Sequence, residues 1–423
     1  MRTLQQDFLR QKMQALGLTR EQFANQLGVK KRALDTWLLP VASKEARQMS
    51  ESVWQLIEQR WPLALSQRPD CSLLDTLHCD GVPHLLSVGQ FNRDSLEELF
   101  GIAALLEPVA RRQKICPVLD GAVLGNLFFE PSTRTRLSFG AAFCRLGGSV
   151  CDTTGFTFSS MAKGESLADT ARVVAGYFDI LVLRHPETGS VAHFAEHIEV
   201  PVINGGDGSG EHPTQALVDI WTIAKEFRRL GKQIDGSCIA LVGDLQHGRA
   251  VQSLFRLLQV FRSIHFKLVA PAGLEMPREL LEQAEAAGHR VTQHSVLETG
   301  LRDADVIYAT RIQRERMTTE VMESYPARFR IDRNAIESFA RKEAVILHPL
   351  PRDSTVEAND LATDLDGDPR LGIFRQTDNG IALRMAVFAV LLGVVPDLQG
   401  AMRDARWRRP ARVGRQDATF HLL

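Results

Sequence analysis

The stretch Ala122–Leu146, AVLGNLFFEPSTRTRLSFGAAFCRL, decides the fold. Ala122 to Phe129 is a short apolar run, the signature of a strand buried on both faces of a parallel sheet. Glu130-Pro131 ends it, and Ser132-Thr133-Arg134-Thr135-Arg136 follows. Leu137, Phe139, Ala142, Phe143 and Leu146 then recur at helical spacing. A strand, a polar turn and a helix in that order make an anion site. The first backbone N–H groups of the helix have no internal partner and point out of its N-terminus. Ser132, Thr133 and Thr135 add hydroxyl donors. Arg134 adds a planar, permanently charged fork that matches phosphate oxygens. No GxxxxGK[ST] run is present, so this is not a nucleotide P-loop.

The same texture extends on both sides. A helix begins near Asn92 and Ser95, with Leu96, Leu99, Phe100, Ala103 and Leu106 on one face. The polar loop 158–166, which holds Ser159 and Lys163, precedes a helix over Leu167–Tyr177. Ile180–Leu183 reads as a strand ending in Arg184-His185-Pro186, and Val200–Ile203 as one ending in Asn204-Gly205-Gly206-Asp207-Gly208. His212-Pro213-Thr214-Gln215 then opens another helix. Polar groups at the carboxyl ends of successive parallel strands meet in one crevice, where open α/β sheets bind ligands. A second series follows, with strands at Cys238–Val242, Phe266–Ala270, Ala304–Tyr308 and Ala344–Leu347. It is a Rossmann-like half without a GxGxxG, and Arg311 and His348-Pro349-Leu350-Pro351-Arg352 stand just past its last two strands. The fold class expected is α/β: two Rossmann-like parallel-sheet domains, residues 84–235 and 236–378, followed by a long apolar helix within 379–395.

The ends differ. Residues 1–62 read as a small all-helical domain. Thr19 stands three residues before Gln22 in a capping-box arrangement, and Gly28 separates two short helices, a helix-turn-helix pattern. This segment holds ten Lys or Arg and six Asp or Glu, with Lys30, Lys31 and Arg32 at the start of the would-be recognition helix. DNA is one partner this implies. The other reading is a helical bundle whose positive charges are solvated or face a partner subunit. Residues 63–83 read as a linker, and 396–423 as a basic tail with six arginines. Over the whole chain 50 Lys and Arg balance 51 Asp and Glu, which excludes a chain dominated by nucleic-acid contacts but not one small basic module. Six cysteines without a CxxC pair or zinc spacing suggest reduced thiols in a cytoplasmic protein. Met1–Arg20 has no apolar signal region, and no run of 18 uncharged apolar residues suggests a membrane span.

FFEPSTRTRLSF (Phe128–Phe139), GDGSGEHPTQALVD (Gly206–Asp219), GDLQHGR (Gly243–Arg249), ATRIQRER (Ala309–Arg316) and HPLPR (His348–Arg352) together resemble the aspartate carbamoyltransferase catalytic chains. The resemblance runs from about residue 84 to about 395. It implies transfer of the carbamoyl group of carbamoyl phosphate to the amine of L-aspartate, giving N-carbamoyl-L-aspartate and phosphate on the route to pyrimidines. It implies that Ser132, Thr133, Arg134 and Thr135 hold the phosphate, and that Arg184, His212 and Gln215 surround the carbamoyl group. Arg249, Arg311 and Gln313 would grip the aspartate carboxylates. Leu350 and Pro351 would meet the reacting amine through backbone carbonyls, with a cis bond between them. Ser159 and Lys163 would come from the neighbouring subunit of a homotrimer, Lys163 reaching both substrates. A regulatory chain or a dihydroorotase-like chain is the further partner it suggests. No metal and no cofactor is implied.

Elementary chemistry agrees with that set. Amine attack on a carbonyl builds an oxyanion, which Arg184 or His212 can stabilise by donation. Departing phosphate gains charge, which Arg134, Lys163 and the helix N-terminus offset. No nucleophilic side chain is required, so positioning and charge stabilisation would carry the reaction. Arg249 and Arg311 suit a dicarboxylate and would repel a cationic ornithine side chain. His185 and His348 read as structural. Two other readings stay open: a carbamoyltransferase for a different amino acceptor, and a DNA-binding regulator with a carbamoyltransferase-like sensor body.

Overall fold

The computed structural model describes residues 9–10, 13, 19–39, 43, 47, 49–50, 53, 73–79, 81–154, 164–311, 329–352 and 360–407. The chain divides into two compact units, Met1–Asp70 and Cys71–Leu423. In the first, α1 (Arg20–Leu27) starts at Thr19, whose side chain and that of Gln22 form the expected reciprocal cap. It ends at Gly28, where φ is +72°, a left-handed conformation that glycine takes without penalty. α2 (Lys31–Trp37) follows. Leu9, Met13, Phe23, Ala24, Leu27, Leu34, Leu38 and Met49 form the core of this unit. Lys30, Lys31 and Arg32 are exposed. Much of the rest of the all-helical domain expected over residues 1–62 lies outside the described residues.

The second unit begins earlier than the sequence suggests. Residues 73–83 are not a loose linker: α3 (Leu73–Leu77) buries Leu73 and Leu77 in the main core, and His78–Cys79 pairs antiparallel with Val82–Pro83. Leucines at 73, 74 and 77 supply enough apolar surface to anchor one helical turn despite the flanking Gly81 and Pro83. α4 (Arg93–Ala110) comes next.

The first sheet holds β1 (Val123–Phe128), β2 (Ser149–Thr154), β3 (Ile180–His185) and β4 (Val202–Asp207). All are parallel, in the order β2-β1-β3-β4. α5 (Thr133–Arg145), α6 (Leu167–Ala175), α7 (Ser190–Ala195) and α8 (Pro213–Leu230) alternate with and follow these strands. The second sheet holds β5 (Cys238–Val242), β6 (His265–Val269), β7 (Arg290–His294), β8 (Val306–Ala309) and β9 (Val345–Leu347), parallel in the order β7-β6-β5-β8-β9. α9 (Arg249–Leu258) follows β5. α10 (Ile373–Leu391) returns to the first half, where Phe388 packs edge-on against Phe139 and Phe143 with ring centroids 5.9 and 4.9 Å away.

The first part of the basic tail is anchored to the second unit. Leu398 is buried, and Arg403–Asp404 pairs antiparallel with Lys114–Ile115. Residues 408–423 lie outside the described residues. Among the described residues, no helix is long and apolar enough to cross a membrane.

Candidate active site

Each sheet has one topological switch point. In the first it falls between β1 and β3, whose carboxyl ends carry Glu130 and Arg184; in the second it falls between β5 and β8, which lead into Gly243-Asp244 and Thr310-Arg311. The crevice outside such a reversal is the standard ligand position. Here the polar groups of the two halves meet across it. Glu130 Oε2 lies 3.1 Å from Arg184 Nε and 2.9 Å from Arg249 Nη2, so one carboxylate bridges an arginine from each half. Arg184 Nη1 donates to Gly205 O at 3.1 Å, and Arg249 Nη1 donates to Gly208 O. Both arginines are buried.

The local sequence explains this placement. The pairing of β3 with β4 shifts register between Leu183 and His185, and such a bulge re-aims the side chain between them, here Arg184. Gly206 has φ +130°, and a Cβ there would stand 2.8 Å from Arg184 Nη1 and 3.2 Å from Arg249 Nη2. A glycine at 206 is therefore what lets the two guanidinium groups share the crevice.

His212 is the N-cap of α8, and its ring is buried. Burial, reinforced by the charges of Arg184, Arg249 and Arg384, holds its pKa well below the ordinary histidine value. The imidazole is neutral, and among the described residues its buried Nδ1 has no hydrogen-bond partner. A neutral ring beside two arginines can still donate one N–H to a carbonyl oxygen. At the phosphate end, Ser132 caps α5 without a side-chain bond to the helix, which leaves the first-turn N–H groups open to an anion. Thr133 and Arg134 are exposed, and Ser132 and Thr135 half-buried.

Gln215 leads into a buried network that the sequence did not point to. Its Nε2 donates to Asp219 Oδ1 at 2.7 Å. Gln376 Nε2 donates to the same oxygen at 2.6 Å, and Tyr308 Oη donates to Oδ2 at 2.6 Å. Gln376 Oε1 in turn accepts from the backbone N–H of His348 at 3.0 Å. His348 Nδ1 accepts from Leu350 N–H at 2.8 Å, so its Nε2 carries the proton and donates to Asp360 Oδ2 at 3.1 Å. A chain of hydrogen bonds thus runs from Gln215 in the first half to Leu350 in the second. Leu350 has φ +56°, and the Leu350–Pro351 bond is cis as expected. Only the spacing of Gln215 and Asp219, four residues apart on one helix, hinted at this pairing. Tyr308 and Arg384 sit within apolar runs, and Gln376 stands in the polar stretch 375–379, so nothing local marks any of them as a partner.

Arg311 lies half-buried at the exit of β8. Ser159, Lys163 and Gln313 lie outside the described residues. His185 is buried, and burial lowers its pKa; its Nδ1 accepts from Glu187 N–H, which fits the structural role expected of it.

Comparison with known proteins agrees with this geometry. The carbamoyl-P binding domain of the aspartate/ornithine carbamoyltransferases matches residues 83–225, and the Asp/Orn binding domain of the same family matches residues 235–391. The chain belongs to this family. Relatives within it include aspartate carbamoyltransferase catalytic subunits. That of Dichelobacter nodosus is 57% identical over 341 residues, covering 80% of this chain and 98% of its own. That of Cellvibrio japonicus is 52% identical, covering 77% and 96%. Among solved structures, aspartate transcarbamoylase from Trypanosoma cruzi in complex with carbamoyl phosphate and aspartate is 38% identical with a TM-score of 0.66, covering 72% of this chain and 95% of its own. The catalytic subunit of M. jannaschii aspartate transcarbamoylase is 39% identical with a TM-score of 0.66, covering 75% and 99%.

Proposed function

We propose that the chain transfers the carbamoyl group of carbamoyl phosphate to L-aspartate, yielding N-carbamoyl-L-aspartate and phosphate, the entry into pyrimidine synthesis. The observation that carries it is the meeting of Arg184 and Arg249 on one carboxylate oxygen beside the neutral His212. The names of the relatives and the ligands of the Trypanosoma cruzi enzyme support it. In this reading residues 84–235, completed by 379–395, bind carbamoyl phosphate, and residues 236–378 bind aspartate. The N-terminus of α5, Ser132, Thr133, Arg134 and Thr135 take the phosphate. Arg184 and His212 donate to the carbonyl oxygen, where charge grows as the amine attacks. Gln215 and the carbonyls of Leu350 and Pro351 orient the amino groups. Phosphate leaves with the electron pair of the broken C–O bond, and its oxygens are a ready acceptor for the amine proton.

Arg249, Arg311 and Gln313 hold the aspartate carboxylates, Arg249 moving from Glu130 to the substrate. Arg249→Ala is then expected to raise KM for aspartate at least about tenfold, with a smaller change in KM for carbamoyl phosphate, as measured by steady-state kinetics. Ser159 and Lys163 act from a neighbouring copy in a trimer, for which sedimentation equilibrium would give three times the 47.1 kDa chain mass. The deciding experiment supplies carbamoyl phosphate with L-aspartate or L-ornithine and follows the carbamoylated product. Product with aspartate alone is expected; product with ornithine alone, or with neither, would overturn the reading.

For residues 1–62 a separate observation favours duplex DNA as a partner: α1 and α2 join at Gly28, and Lys30, Lys31 and Arg32 are exposed at the start of α2. Fluorescence anisotropy with a labelled duplex is expected to show binding that weakens steeply with salt. Replacing all three basic residues by alanine is expected to flatten that dependence. Binding by the triple variant equal to the parent would assign the segment another role.

A further inference from the structure

Outside the crevice, α7 closes at Ala195 and runs into a turn that holds Glu196 and His197. His193 and His197 stand four residues apart, on one face of a helical turn, with Glu196 beside them. One ligand atom from each of the three side chains lies within 4.8 Å of the others. His193 and Glu196 are exposed and His197 half-buried. His193 Nδ1 is 3.4 Å from Glu196 Oε2, and the two imidazoles meet edge-on, with centroids 4.7 Å apart. His197 Nδ1 lies 2.7 Å from the backbone oxygen of His193. A carbonyl oxygen only accepts, so Nδ1 carries the proton and Nε2 keeps its lone pair for a ligand bond. A ring nitrogen held by a backbone carbonyl while the other stays basic is the usual preparation of a metal-ligating histidine.

We propose that His193, Glu196 and His197 form a binding site for a divalent transition-metal ion of the zinc type. Two imidazoles and one carboxylate are a donor set that such ions prefer. Calcium asks for six to eight oxygen ligands, and magnesium for an oxygen octahedron; the cluster offers one carboxylate. Ligand bonds of about 2.0–2.2 Å place the donor atoms roughly 3.3–3.5 Å apart in a tetrahedral site. Rotation of the exposed His193 and Glu196 side chains closes the remaining gap. Water completes the shell.

The location gives the ion a task. α7 has six residues, too few to hold its shape unaided. The loop before it is stitched to the loop after β4: Gly189 N–H donates to Asp207 Oδ2 at 3.0 Å, Ser209 N–H to Thr188 Oγ1 at 3.0 Å, and Gly208 N–H to His185 O at 2.9 Å. Gly208 O is also the acceptor for Arg249. An ion clamping the far end of α7 therefore stiffens a segment that borders the crevice without touching it.

The test uses the full-length protein stripped with a chelator and titrated with Zn2+ against a chromophoric competitor. One tight zinc per chain is expected, with a rise in Tm of about 5 °C at saturating metal. Co2+ in its place is expected to give the visible absorption of a four-coordinate site. The double variant His193→Gln/His197→Gln is expected to lose the binding, the Tm rise and the cobalt spectrum, with turnover in metal-free buffer unchanged. Glu196→Gln alone, which keeps both rings, is expected to weaken binding about tenfold or more. The exposed thiols of Cys144 and Cys151 remain in every variant. Equal zinc binding by parent and double variant, or no binding by the parent under excess Zn2+, would overturn the proposal.

Discussion

Arg134→Ala is expected to lower turnover with carbamoyl phosphate and aspartate by about 10²–10³-fold, the usual effect of deleting one donor aimed at developing charge. Arg134 stands in the first turn of α5, the helix that follows the carboxyl end of β1, and is exposed. Its partner in the reaction is the leaving phosphate, whose negative charge increases as the C–O bond breaks. The interaction is therefore stronger in the transition state than in the bound substrate, and kcat falls along with kcat/KM. Lysine at 134 keeps the charge but not the planar fork, so Arg134→Lys should recover only part of the loss. Since the side chain is on the surface of the isolated chain, thermal stability should stay within about 0.5 kcal/mol of the parent. A kcat equal to the parent's would remove Arg134 from the machinery.

Asp219→Ala should act on stability first. Asp219 is fully buried and accepts from Gln215, Gln376 and Tyr308. Arg384, also buried, has its pKa lowered by burial to about 10, and the Asp219 charge opposes that fall. Removing the carboxylate strands three donors and a buried guanidinium, at a cost of about 3–5 kcal/mol. Chemical denaturation would read this directly. The isosteric Asp219→Asn can re-form the network by turning amides and the hydroxyl, and it separates charge from shape. Burial raises the Asp219 pKa to about 6, against the donated hydrogen bonds that pull it down. A carboxyl whose folded value lies above its unfolded value favours the fold most at pH below about 3.9, and that contribution is lost as pH rises through about 6. A gap of about 2 between the two values is worth roughly 3 kcal/mol. The difference in stability between the parent and Asp219→Asn should therefore shift against the parent between pH 4 and 7, then level off. A flat difference across that range would show that Asp219 stays ionised throughout. Because Gln215 leans on Asp219, kcat should fall in both variants, and more in the alanine one.

Strands buried on both faces were the legible part of the fold. β1, β3, β5 and β8 are dominated by apolar residues, broken only by Gly125 and Asn126 in β1 and by Arg184 and His185 at the end of β3, and each is readable from the sequence within a few residues. β2 and β7 carry no comparable signal. Both are edge strands, with Ser149, Cys151, Asp152 and Arg290 exposed, and half-polar runs of five or six residues carry little periodic signal. In the site, arginines at strand ends and hydroxyls at a helix start were visible because their residue types are uncommon in those places. Glu130 was seen only as the end of a strand, since nothing in the local pattern tells that its carboxylate joins Arg184 to Arg249. Asp219, Tyr308 and Gln376 were missed for a related reason: their partners lie 89 and 157 residues away in sequence, beyond any local pattern.

The return of α10 has a consequence for how the chain is made. Phe139 and Phe143 emerge from the ribosome early, but Phe388 follows only after the whole second half has been synthesised. Arg375, which closes on Glu226 inside the first half, arrives equally late. Until then one face of α4 and α5 is bare apolar surface, and a nascent chain in that condition invites association with its neighbours. The two sheets are therefore not beads that can be cut apart near residue 235 and expressed singly. Premature termination between residues 236 and 373 would leave the first half without its closing helix, and the cell would have to shield the waiting surface with chaperones for the duration of translation.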